Sequence, residues 1–312
     1  MAYQMPSKIC CRRCCTRRAR EAISVLLHMS NSYDEQHDST PLRIMQYNVG
    51  KTREVMDSIL NHDDTRDYAI LLLQEYSRTY KQNLPLLHGA WTAYEPTYQT
   101  ETPPRAAIYI NNSEIDIDKI EQLPIPHEDI LAISIPAEPG PFNKPTLIVN
   151  LYNDSRTHSA TEQLRNIFRH NVKINEYDIV LVCGDFNLHH ALWNPPGYSA
   201  QEPQAQNVVE TMMEANLKPL LPLGTITWMP PHRNPMASAT AIDLVWGNEN
   251  AEDILVKCHS VERTNDHASD HHPIEIALNL NPQKRPPPPP LMTTPKRIGI
   301  SSRSNLNVSF RL

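Results

Sequence analysis

The chain has no apolar run approaching the ~18 residues of a membrane span. "AISVLLHM", at 22–29, is short and follows five arginines, and no signal-peptide cleavage pattern accompanies it. The disulfide framework of a secreted domain is also missing. Four of the six cysteines are packed as Cys10, Cys11, Cys14 and Cys15, while Cys183 and Cys258 stand alone in apolar strands and read as buried thiols. That usage suits a reducing compartment. Only Cys11 and Cys14 have C-x-x-C spacing, and no second ligand pair follows at zinc-site distance. Glycine is scarce, at 8 of 312 residues against 28 prolines, and there is no internal repeat. The basic surplus of a general nucleic-acid binder is lacking too. Residues 1–41 hold 6 Lys/Arg and 4 Asp/Glu, and 283–312 hold 6 Lys/Arg and no acid, so of the overall −6 the middle, 42–282, carries −14. An acidic middle is compatible with a carboxylate cluster that holds a divalent cation.

What is present is an ordinary globular composition, 40% hydrophobic and 21% charged, in a chain long enough for a sizeable core. Residues 1–41 are polar and irregular. Their Cys/Arg run would suit a metal knuckle, a palmitoylation patch or a mitochondrial presequence, and is read here as a disordered leader. Order is expected from Leu42. "LRIMQYN" alternates as a strand, and "TREVMDSILNH" places Val55, Met56, Ile59 and Leu60 on one helical face. "YAILLLQE" is a continuous apolar run of the kind buried on both faces. "RAAIYIN", "ILAISIP", "TLIVNLYN" and "YDIVLVCGDFN" are further strands. "SATEQLRNIFRHNV" shows Ser159 and Glu162 at capping-box spacing and a stripe of Leu164, Ile167 and Phe168, so a helix. "AQNVVETMMEANL" is a second such helix, followed by the strands "TAIDLVWGN", "ILVKCHSV" and "PIEIALN". Helices fall between strands, which predicts sheets covered by helices, α/β or α+β. The domain is expected over 42–281. Residues 282–312 open on a proline-rich spacer, "PQKRPPPPP", and continue as a basic tail read as disordered.

Polar residues recur at the ends of the apolar strands: Asn48, Glu75, Tyr152 with Asn153, Asp185 with Asn187, Asp243, and Asp270–His271. Carboxylates in or beside buried strands are costly unless paired or bound to a cation. Singly, each has a plain explanation as a turn residue, a helix cap or half of a salt bridge. If the strands lie side by side, all gather along one rim.

The ordered set "QYN" (46–48), "LLLQE" (71–75), "NLY" (150–152), "GDFN" (184–187), "IDLVW" (242–246) and "SDHHPI" (269–274) resembles the motifs of the endonuclease/exonuclease/phosphatase superfamily. The resemblance covers about 42–280. It is most similar to the apurinic-type endonuclease domain of non-LTR (LINE-like) retrotransposons, on "YNVGKTREVM", "NLYND", "GDFNLHHALWN" and the T-x-T-W at 225–228.

The resemblance implies a DNase I-like four-layer sandwich, two packed mixed sheets flanked by helices. It implies a Mg²⁺-dependent hydrolase of DNA phosphodiester bonds, with Mn²⁺ the alternative cation, whose nick leaves a 3′-hydroxyl primer for reverse transcription. By resemblance, Glu75 with Asn48 is the principal metal ligand and Asp270 completes the metal environment. Asp185 orients or deprotonates the attacking water and Asn187 holds it. His271, oriented by Asp243, contacts the scissile phosphate, and Tyr152 stabilises the phosphoryl oxygens. Elementary chemistry agrees with these roles. Mg²⁺ takes one or two carboxylates and keeps several waters. An imidazole paired with a carboxylate stays positioned beside a phosphate.

His189 and His190 fall outside the set; they either edge a DNA groove or hydrogen-bond their loop, the second being favoured, and Trp193 is read as packing that loop. The cations near the motifs are Lys51, Arg53, Arg105 and Arg233. No reverse-transcriptase segment follows within the chain, so an endonuclease fragment or a decayed or co-opted element is expected. Which reverse transcriptase or retroelement RNA would partner it is not legible; a nuclear location is inferred from the DNA substrate alone. Two rivals stand beside this reading. One is a sibling phosphatase or deadenylase with the same site, and the other an inactive remnant or a module that binds nucleic acid without cutting it.

Overall fold

The computed structural model describes residues 41–98, 100–137, 140–198, 202–230, 238–261 and 269–280. The leader, the proline-rich tail and Arg233 lie outside them.

The fold is built twice from one motif, a parallel strand pair joined by a helix. In the first, β1 (Leu42–Asn48) leads through α1 (Arg53–Asn61) into β2 (Ile70–Gln74), which pairs parallel to β1 with Ile44 opposite Ile70 and Asn48 opposite Gln74. In the second, β7 (Thr146–Tyr152) leads through α2 (Ser159–His170) into β8 (Ile179–Asp185), again parallel, with Tyr152 opposite Asp185. Antiparallel strands complete each sheet. Around the first pair lie β3 (Trp91–Tyr94), β4 (Ala106–Asn111), β11 (Leu255–Ser260) and β12 (Ile274–Leu278), in the order β11-β12-β1-β2-β4-β3. Around the second lie β5 (Glu121–Gln122), β6 (Ile130–Ile135), β9 (Lys218–Pro219) and β10 (Asp243–Gly247), in the order β5-β6-β7-β8-β10-β9. The remaining helices are α3 (Pro203–Glu214) and α4 (Glu249–Asp253).

Side-chain alternation sorts these strands into four layers. Met45, Tyr47, Leu71 and Leu73 face outward and bury Val55, Met56, Ile59 and Leu60 of α1, the stripe expected from sequence. Ile44, Leu72 and Ile108 face the other way and pack on Ile148, Leu181 and Val245 of the second sheet. Leu147, Val149, Val180 and Val182 form the outer face of that sheet, covered by Leu164 and Ile167 of α2 and Val208 and Met212 of α3. Full burial of each such side chain contributes roughly 1.5–3 kcal/mol.

Three local expectations change. The Ser159/Glu162 capping box does not form: His158 is the N-cap, left-handed at φ 53° and without a side-chain cap bond. Asn153 Oδ1 instead accepts the Thr161 N–H from across a turn, at 3.3 Å. Phe168 is only partly buried against the core. Cys183 is buried as expected, but Cys258 is half-buried because β11 is an edge strand.

Candidate active site

The polar strand ends share one rim for a topological reason. Asn48, Glu75, Tyr152 and Asp185 all stand at or just past the carboxyl ends of the four parallel strands, and such ends are where open sheets bind ligands. The antiparallel neighbours reach the same rim at their starts, with Asp243 opening β10 opposite Asp185 and Asp270–His271 preceding β12. Along the strands, the space between the sheets grades from Ile44, Leu72, Ile148 and Leu181 to Gln46, Gln74, Asn150 and Cys183. It ends in Asn48, Tyr152, Asp185 and Asp243. The middle tier is a buried amide ladder. Gln46 Nε2 donates to Gln74 Oε1 (2.8 Å) and Asp243 Oδ1 (3.0 Å), and Gln74 Nε2 donates to Asn150 Oδ1 (2.5 Å).

Asp185 is almost wholly buried. Its Oδ2 accepts Nδ2 of Asn48 (2.8 Å) and of Asn187 (2.9 Å), and its Oδ1 accepts the Asn187 backbone N–H (3.0 Å). Asn187 adopts φ 49° and also donates to Asn153 O at 2.9 Å, which turns its amide back onto the strand end. Burial pushes the Asp185 carboxyl up to about 7, and the neighbouring Asp243 charge adds to the rise.

Asp243 accepts His271 Nδ1 at 2.8 Å, so the two form a buried dyad. Burial alone would lower the imidazole, but the Asp243 charge and hydrogen bond, with Asp185 and Asp270, hold it up at about 9. Asp270 Oδ1 lies 4.0 Å from His271 Nε2, and Asp270 Oδ2 accepts the Trp228 indole N–H at 2.8 Å. Ser269 ties this segment to β1 by donating to Asn48 O at 2.7 Å. Thr227 Oγ1 accepts the backbone N–H groups of Ile242 and Asp243, each at 3.0 Å.

Glu75 sits at φ 46°, with its N–H donated to Arg105 O (2.7 Å) and its carboxylate 2.9 Å from Lys51 Nζ. The charges of Glu75 and Asp185 both reach the Tyr152 hydroxyl; together with burial, the largest cause, they raise it above the ordinary phenol value. All eight residues expected at the site are therefore on one rim.

The donor set suits a hard divalent cation. It offers carboxylate and amide oxygens and no thiolate, and Lys51 now provides positive charge beside a partly exposed Glu75. Asp185, Asp243 and His271 also bring ligand atoms within 4.8 Å of one another. Those atoms already serve one another and the amides of Asn48, Asn187 and Gln46.

A cavity of about 920 Å³ opens beside His271 and Asn187, lined also by His158, His189, Tyr198 and Trp228. His189 thus faces the cavity, whereas His190 hydrogen-bonds its own loop through Leu192 N (3.1 Å). Trp193 packs edge-on against Trp246 and donates to Leu188 O, as expected. Two of the cations near the motifs are paired with carboxylates. Arg53 pairs with Asp57, and Arg105 with Asp129 and Asp154. Sequence reading missed Gln74, Asn150, Thr227 and Ser269 as supports. Each lies inside one of the quoted motifs, and that membership was the available signal.

Two mixed sheets packed face to face, with this rim at their mouth, define a DNase I-like fold. Residues 146–275 match the family described as "Endonuclease-reverse transcriptase". Among solved structures the chain is similar to the endonuclease domain of TRAS1, a telomere-specific non-LTR retrotransposon. The TM-score is 0.61 at 19% identity, over 77% of this chain and 99% of that one. It is also similar to the catalytic domain of Xenopus laevis APE2 (TM-score 0.62, 13% identity, 78% and 94% covered). The AP endonuclease LMAP from Leishmania major gives TM-score 0.57 at 14% identity, with 77% and 88% covered. No curated protein matches the sequence. The family match spans under half of the chain, and the solved structures agree with it on one DNase I-like fold.

Proposed function

We propose that the protein is a divalent-metal-dependent endonuclease that nicks DNA, a retrotransposon-type domain whose cut leaves a 3′-hydroxyl for reverse transcription. The observation that carries this reading is the meeting of Asn48, Glu75, Tyr152, Asp185, Asn187, Asp243, Asp270 and His271 on one rim. The likeness to the TRAS1 endonuclease domain supports the retrotransposon branch over the other phosphoesterases.

Glu75, Asn48 and Asp270 would hold Mg²⁺ or Mn²⁺, which supplies stabilisation of negative charge on the phosphoryl group. Asp185 takes the proton of the attacking water as the water oxygen bonds to phosphorus; the P–O3′ bond breaks, and the departing 3′-oxygen takes a proton from solvent to become the 3′-hydroxyl. A carboxylate with a pKa near 7 is a competent base at neutral pH, and Asn187 keeps its lone pairs aimed. His271, held protonated by Asp243, donates to a non-bridging oxygen of the scissile phosphate. Tyr152 adds a neutral donor, since its hydroxyl keeps its proton between two carboxylates. DNA is the substrate and the nucleus the place of action in this reading.

The test is nicking of supercoiled plasmid by the full chain with Mg²⁺, set beside poly(A) RNA and soluble inositol phosphates. Plasmid conversion that is lost in Glu75→Ala and His271→Ala is expected. Turnover of RNA or inositol phosphate alone would move the protein to a sibling activity. Folded protein inert on all three would make it a remnant.

A further inference from the structure

The site draws on both sheets, so its geometry depends on how the sheets are held at the rim. Arg105 immediately precedes β4 in the first sheet, and Asp129 immediately precedes β6 in the second. Arg105 Nε lies 3.2 and 3.1 Å from the two Asp129 oxygens, and its backbone N–H donates to Asp129 Oδ1 at 2.9 Å. Asp129 is fully buried. The outer ends of this pair finish on site residues. Arg105 O accepts the N–H of Glu75 (2.7 Å), and Asp129 O accepts the N–H of Tyr152 (3.0 Å). The guanidinium then lies over the Tyr152 ring, 4.6 Å from its centroid, and its Nη1 reaches Asp154 at 2.6 Å.

We infer that the Arg105–Asp129 pair is a clamp that sets the distance between the two halves of the active site, with Arg105 and Asp129 as positioning residues for Glu75 and Tyr152. The inference rests on the nuclease reading proposed above. Stability alone does not account for the pair, because a buried ion pair is generally replaceable by apolar residues of similar volume without loss. What an apolar pair would not reproduce is the geometry. The bidentate fork fixes the angle between two backbone segments whose carbonyls carry Glu75 and Tyr152. Glu75 is a non-glycine residue held at positive φ, a conformation that persists only where its surroundings over-determine it. The Arg105 carbonyl, with the Lys51 N–H on Glu75 O at 2.7 Å, does that.

The test compares the full chain with Arg105→Met, Asp129→Leu, the double Arg105→Met/Asp129→Leu, and Arg105→Lys. Measured are the thermal midpoint, kcat and KM for Mg²⁺-dependent plasmid nicking, and duplex affinity in EDTA. Arg105→Met leaves the buried Asp129 without its cation and lowers the midpoint most; Asp129→Leu leaves Arg105 with Asp154 alone and lowers it less; the double swap regains most of the loss of Arg105→Met. In the double swap kcat falls about 100-fold, the scale of a 1 Å misplacement, while KM and duplex affinity stay at wild-type values. Arg105→Lys keeps the charge but loses the fork, so its kcat lies between wild type and the double swap. A refolded double swap with wild-type kcat overturns the clamp. If the double swap does not regain its midpoint, wild-type kcat in Arg105→Lys overturns it equally. An inert wild-type chain instead overturns the nuclease reading, and the clamp's role falls with it.

Discussion

Asp185 and Asp243 are register partners in adjacent strands, and each meets the cost of burial differently. Asp243 leans on His271 and Gln46; Asp185 gathers amides and raises its affinity for a proton. Asp185 and His271 both bind protons more tightly folded than unfolded, so the stability these two contribute to the metal-free protein falls as pH rises. The Asp185 share is lost between its ordinary 3.8 and about 7. The His271 share is complete below its ordinary 6.5 and gone above about 9. The midpoint difference in EDTA between wild type and Asp185→Asn should therefore change between pH 3.8 and about 7, and because the Asp185 charge helps hold His271 up, the same substitution should also narrow the upper limb; a difference that stays constant over the lower window contradicts the assignment. The eight site residues were legible because each sits in a short motif next to an apolar strand. The ladder beneath them was not: Gln46, Gln74 and Asn150 lie in the same motifs, but only the packing of one sheet on the other brings their amides into contact.

At the scale of elements, the strand carrying "GDFN" is the most constrained. Gly184 has φ +144°, and a Cβ there would lie 2.0 Å from Leu151 O on the neighbouring strand. Gly184→Ala should destabilise by at least ~3 kcal/mol in urea unfolding, since strained backbone and overpacking act together; a change within 1 kcal/mol would show that β7 and β8 can part there. Gln74→Leu removes the amide that donates to Asn150 Oδ1 at full burial, and an unsatisfied buried acceptor costs about 1–3 kcal/mol by the same measurement. Strand and helix identities followed from periodicity for the long elements. The four-residue edge strand β3 carried too short a pattern to read. The cap of α2 escaped because its acceptor, Asn153, lies several residues back on the strand end.

Charge acts on the whole molecule. The middle's −14 opposes DNA, yet the acid is unevenly placed. The three longest stretches of 42–282 without Asp or Glu are 215–242, 76–94 and 186–201, and each abuts a site carboxylate: Asp243, Glu75 or Asp185. The segments leading into and out of the rim are thus free of the repulsion that the rest of the domain carries. Among the described residues of these stretches Arg78 and Lys218 are paired with Glu95 and Glu252, so the segment 283–312, at +6, is the strongest net positive charge the sequence offers a phosphate backbone. Its deletion should weaken duplex binding in EDTA at low salt. The slope of log K against log[salt] should become shallower by up to about 5, near 0.9 per neutralised phosphate. A slope that does not change would remove the segment from DNA binding.

The sequence by itself determined which strands would be buried, which residues would end them and, through six ordered motifs, a resemblance whose DNase I-like fold the structure bears out. These are local properties: alternation, apolar runs and short spacings survive in one dimension. Tertiary structure alone decided that Arg105 pairs with Asp129 and Asp154 and lies over the Tyr152 ring. It also decided that Asp185 would be buried beside the Asp243 charge and so pushed up to about 7. Those outcomes depend on how closely groups far apart in the chain approach one another away from water, and no spacing along the backbone encodes that distance.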